Sequence, residues 1–148
     1  MSFLKFAGIL TAIASLTHIV IIIGGANFYR FFGAGEKMAV MSEQGSKYPT
    51  MVTFVIASIL AIWSLYAFSG AKLVKQLPFT KVILSLVTLV FLARGLLAIP
   101  VVIFADSPYM LELAENMTFM IVSSVICLII GICYGLGTYQ VIKQQDIV

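Results

Sequence analysis

The chain has 148 residues, 61% of them hydrophobic and only 10% charged, with a formal net charge of +3 and a mean hydropathy of +1.11. A soluble domain carries about 25% charged residues, so this chain cannot cover its own surface in water, and the solvent that suits it is a lipid bilayer. Its lysines are scattered and form no basic stripe, which excludes nucleic acid as a partner.

Taken along the chain, the sequence predicts an all-α integral membrane protein, with a single domain over 1–148 built as a four-helix transmembrane bundle. Four long runs carry the spans: Phe6–Ala26, Pro49–Ala71, Val82–Ala105 and Asn116–Ile142. Each is long enough to cross roughly 30 Å of hydrocarbon as a helix. Helix is the open-chain solution there, because each backbone polar group must be satisfied within its own segment. The first run is longer than a signal-peptide core and lacks a convincing cleavage site, so it reads as a retained helix. Thr11, Ser15, His18 and Gly25 share one face of it.

The first connection, residues 27–48, is the longest. It holds Phe28, Tyr29, Phe31, Phe32 and Tyr48 around a short helical piece, Glu36–Ser42, with Gly33 and Gly35 before it. Such an aromatic-rich segment is expected to lie at the outer membrane surface or dip into it, although aromatics also favour that depth as plain interfacial anchors. In the second span Thr50, Ala57, Ala61 and Ser64 share a face. The loop "KLVKQLPFTK" then brings Lys72, Lys75 and Lys81 without an acid.

The third span contains "LVFLARGLLAIPVVIF", residues 89–104, in which Arg94 is the one charge. A guanidinium stays charged in proteins, and near the bilayer centre it costs about 2.5–3.5 kcal/mol on insertion scales. Arg94 lies twelve residues into its span, roughly 18 Å along the axis, too deep for simple snorkelling. Pro100 is expected to kink the helix beyond it. Gly95 leaves room for a ligand or a neighbouring backbone. The last connection holds Asp106, Glu112 and Glu115, and Ser107–Pro108 reads as the start of a short helix. In the fourth span Ser124, Cys127, Gly131, Gly135 and Thr138 form a stripe of small residues, and Gly131–Gly135 is a small-xxx-small pair. The stripe reads as a helix-packing seam. Cys127 and Cys133, six residues apart, diverge by about 120° on a helix, which argues against a mutual disulfide.

Lysine placement sets the orientation. Lys5, Lys72, Lys75, Lys81 and Lys143 put both termini and the middle loop in the cytoplasm, and the last connection, purely acidic, outside. Arg30, Lys37 and Lys47 in the first connection dissent. The localisation expected is multi-pass in a bacterial inner (plasma) membrane.

The chemistry is sparse. His18 is the only histidine, so neither a bis-histidine haem nor a zinc site is expected, and no metal or cofactor is called for. No paired membrane carboxylates, Ser-His-Asp set, CxxC or P-loop occurs, and no catalytic residue is assigned. Arg94 has no carboxylate within any span. Its candidate partners are Glu36 and Glu43, helix carbonyls, hydroxyls or water, an anion from outside, or a carboxylate of a partner protein. The site expected is therefore an outer-half polar pocket of Arg94 and His18, with Glu36, Glu43, Tyr29 and Ser15 around it. It would bind or transport a small anionic or lipid-like ligand among membrane lipids. Two other classes remain open. One is an interaction protein, as a homo-oligomer, an accessory subunit of a larger membrane complex, or an immunity-type protein. The other is an enzyme on a lipid or quinone, with His18 as base.

Overall fold

In the computed structural model, residues 2–104 and 108–145 are described, and every element is helical. The order is α1 (Ser2–Gly24), α2 (Ala26–Phe31), α3 (Glu36–Glu43), α4 (Tyr48–Gly70), α5 (Thr80–Phe104), α6 (Pro108–Glu115) and α7 (Met117–Gln145). Helices α1, α4, α5 and α7 are each long and apolar enough to cross a membrane. Their outward faces carry Ile13, Leu16, Met51, Ile62, Leu89 and Ile132, all exposed. Helices with apolar side chains both inside and outside suit a bundle solvated by lipid.

The four long helices follow the four apolar runs to within a few residues. The first run ends early. Gly25 turns the chain with φ +63°, a left-handed conformation glycine adopts at low cost, so Ala26 starts α2 and does not continue α1. The ring of Phe28 folds back over Gly24 and occupies the place where a Cβ would stand. Pro49 occupies the first turn of α4, where its missing N–H costs least. Helix α5 runs through Pro100, which leaves the carbonyl of Leu96 without its usual donor one turn on. The expected helix after Ser107 is α6. Ser107 and Asp106 lie outside the described residues.

Around the bundle, α1 packs on α4 and α7, and α5 packs on α4 and α7, so α1 and α5 stand diagonally. The tightest seams are α1 with α4 and α5 with α7. On the first, Ser15 Oγ donates to the Ala57 carbonyl at 2.7 Å, and Ser64 Oγ donates to the Gly8 carbonyl at 2.8 Å. Each hydroxyl thus crosses to the partner backbone where no water competes. Thr50 and Ala61, expected on this seam, are exposed. The face of α4 turned inward is Thr53, Ala57, Leu60, Ser64 and Ala67. The face moves because a seam that follows the inward i, i+3, i+4 rows starts from Thr53 and not from Thr50.

On the second seam a Cβ on Gly131 would meet the backbone nitrogen of Leu92 at 3.0 Å, and one on Gly95 would meet that of Leu128 at 3.0 Å. Gly135 faces Thr88 and Gly137 faces Leu4. Cys127 and Cys133 are half-buried free thiols beside the core.

Tyr134 of α7 joins the two pairs. It is fully buried, with its hydroxyl 3.1 Å from the Trp63 carbonyl of α4 and 3.2 Å from Thr11 Oγ1 of α1. Phe91 of α5 stacks on its ring at 5.8 Å, and Trp63 meets Phe91 edge-on at 5.7 Å. One side chain therefore touches all three other long helices.

Helices α2, α3 and α6 cap one end of the bundle. The loop after α4, the start of α1 and the end of α7 form the other. Gly33, between α2 and α3, lies against the ring of Phe119 at the head of α7. At the opposite end Ser69 Oγ donates to the Lys75 carbonyl at 3.2 Å and accepts from the Leu77 N–H at 2.8 Å, which folds the lysine loop under α4.

Candidate functional site

Helix α5 turns Leu84, Val87, Phe91, Gly95 and Val102 inward. Arg94, one residue before Gly95, is about 100° round the helix from it. With Gly95 pressed against Leu128 of α7, Arg94 falls at the edge of the α5–α7 seam and is exposed. There it lines a groove of about 330 Å³. The other walls are Ala93, Leu97, Ala98, Val101 and Val102 of α5, Met110 and Leu113 of α6, and Met120 of α7. Val102, Leu113 and Met120 are buried together as a small core of their own, which fixes α6 over the end of α5 and α7. Among the described residues Arg94 is the single polar side chain on the walls. No ion pair or hydrogen bond joins its guanidinium to any described residue.

The two loop acids named as partners for Arg94 are engaged elsewhere. Arg30 of α2 takes both. Its Nη2 and Nε donate to Glu36 Oε1 and Oε2 at 2.6 and 2.8 Å, a two-point grip, and its Nη1 donates to Glu43 Oε1 at 2.7 Å. Hydrogen bonding to Arg30 holds the Glu36 carboxyl below its usual range, because a bond to the charged form favours that form. The same carboxylates raise the Arg30 guanidinium further above its ordinary value. The residues that make this clamp lie six and thirteen positions apart. Gly33 and Gly35, at φ +67° and +96°, reverse the chain so that α2 and α3 face each other.

The remaining candidates are spread over the bundle. His18 is half-buried on α1, and its Nδ1–H donates to the Ala14 carbonyl one turn back at 2.8 Å. Helix α1 is diagonal to α5, and His18 is not among the residues lining the Arg94 groove. Ser15 is committed to Ala57. Tyr29 is buried, and its hydroxyl accepts from Thr53 Oγ1 at 3.3 Å, which seats α2 on α4. Of the six residues grouped from the sequence, Arg94 alone lines this groove.

Two buried hydroxyls on α7, Ser124 Oγ and Thr138 Oγ1, have no hydrogen-bond partner among the described residues. Among the described residues no group of His, Cys, Asp and Glu could hold a metal ion.

Chemically the groove offers one fixed positive charge with planar, two-point donor geometry at one end of an apolar trough. That arrangement can hold an anion attached to a hydrocarbon body. Among the described residues its walls hold no nucleophile and no base. Comparison with family models, curated proteins and solved structures finds no match for this chain.

Proposed function

We propose that this chain is a multi-pass protein of a bacterial inner membrane that binds a small anionic, lipid-like ligand through Arg94, in the groove between α5, α6 and α7. The observation that carries the reading is a guanidinium that has no partner among the described residues, on walls whose other described side chains are apolar. A charge placed so far along a membrane helix is costly, and an anion brought by a ligand offsets that cost in a way that neither Glu36 nor Glu43 does here. A neutral carbonyl would accept a hydrogen bond but leave the charge uncompensated. His18 stands outside the groove, so the binding role rests on Arg94 alone, and the enzyme reading loses the base it needs beside its anion anchor.

The orientation proposed has both termini and the 72–79 loop in the cytoplasm. Lys5, Lys72, Lys75, Lys81 and Lys143 gather at that end, where lysine and arginine are favoured. Of the three dissenting cations, Arg30 is held by two carboxylates, leaving two lysines opposed to five. The groove then opens in the outer half of the membrane.

Native mass spectrometry of the purified chain tests the binding reading. The wild type is expected to carry an anionic amphiphile through purification, and Arg94→Leu is expected to fold and lose it. Identical adducts on both proteins would make Arg94 structural.

A further inference from the structure

We infer that the ligand of the Arg94 groove is a single-chain monocarboxylate, a free fatty acid, and not a phospholipid. The inference rests on the binding role proposed above and adds its chemical class. Three features of the groove point the same way.

The first is depth. Arg94 is fourteen residues from the start of α5 and ten from its end, about 21 Å and about 15 Å along the axis. It therefore lies near the middle of any bilayer that α5 spans, whichever way up the protein sits. Phospholipid headgroups reside at the two faces. To reach Arg94 a phosphodiester would have to leave that plane with its charge intact. A carboxylic acid has no such constraint. Desolvation favours its neutral form, so it can pass the apolar walls protonated and, beside the guanidinium, give its proton to water and bind as the carboxylate.

The second is the donor set. Among the described residues the walls offer one guanidinium and no hydroxyl, amide or second cation. A guanidinium fork satisfies one carboxylate with two parallel bonds. Glycerol or sugar hydroxyls of a larger headgroup would be stripped of water against Leu97, Val101 and Met110 with nothing to bond.

The third is space. About 330 Å³ is at the low end of ligand pockets, which run about 300–1,000 Å³. From Arg94 to Val102 the α5 wall is eight residues long, about 12 Å. That length holds one carboxyl group and the first part of one chain. Met110 and Met120 are pliable enough to follow it.

Thermal melting of the full chain in a neutral maltoside detergent separates the possibilities. Three probes are used: palmitate, its methyl ester, and dioleoyl phosphatidylglycerol. Palmitate is expected to raise the melting temperature and to bind at least about tenfold more tightly than the ester, the ratio expected for a charge-assisted bond. Phosphatidylglycerol is expected to produce no shift that depends on Arg94. The palmitate shift should vanish in Arg94→Leu and also in Ala98→Phe, which fills the groove and keeps the charge, so misfolding of one variant does not leave the question open. If phosphatidylglycerol stabilises as well as palmitate, and only when Arg94 is present, the fatty-acid assignment fails and the binding role stands. If no probe shifts the melting temperature, or the shifts survive both substitutions, both are overturned.

Discussion

Tyr134 of α7 reaches α1, α4 and α5 with one side chain. Its ring stacks on Phe91, which in turn meets Trp63 edge-on, and its hydroxyl reaches the backbone of α4 and the side chain of α1. The two contributions separate by substitution. Tyr134→Phe keeps the ring and removes one hydroxyl, so a loss of about 0.5–1.5 kcal/mol is expected, near the lower figure if membrane hydrogen bonds behave as measured elsewhere. Tyr134→Ala empties the centre of the bundle and is expected to cost about 3–5 kcal/mol. Equal losses in a reversible denaturant titration in detergent would contradict the division. Nothing in the local sequence marks Tyr134, because its partners are 123 and 71 residues away. Arg94 was visible from composition alone, since one charge in an apolar run needs no partner to be noticed.

At the scale of elements, the α2–α3 cap is an electrostatic device held by Arg30. Glu36 has its carboxyl lowered in the folded protein. A lowered carboxyl contributes stability above the unfolded value, about 4.3 for glutamate, and that contribution disappears as pH falls through the folded value. Amide hydrogen exchange over residues 26–45 should therefore give a level protection factor from neutrality down to about pH 5, then a decline in acid. Arg30→Gln should abolish the decline by removing the partner that lowers Glu36. An unchanged acid limb in that variant would place the effect elsewhere. The sequence announced α3 and the glycines before it, yet it gave no sign that Arg30 and the two glutamates would meet. Their contact depends on backbone angles at Gly33 and Gly35 rather than on helical spacing.

For the molecule as a whole, the four spans were readable because a bilayer imposes one length and one backbone solution on every crossing. Spacing along a helix also gives approximate depth. It does not give azimuth, the order of helices around the bundle, and that is why Arg94 and His18 could be expected in one pocket although α1 and α5 are diagonal. The groove shares this obscurity, since its walls come from α5, α6 and α7 together. The proposed orientation is checked in a background where Cys127 and Cys133 are alanine, with Ser46→Cys and Gln76→Cys as exposed reporters. An impermeant maleimide applied to intact cells should label the first, and should reach the second only after permeabilisation; the opposite result would invert the protein. The pairing of seams, α1 with α4 and α5 with α7, has a consequence for how the chain is made. Each tight seam joins consecutive spans, so the first hairpin can close while the second is still being synthesised. Tyr134, near the end of the chain, then locks two ready-made halves. Separately translated fragments, 1–76 and 77–148, are accordingly expected to find each other in the membrane and copurify, and Tyr134→Ala in the second fragment should weaken that reunion.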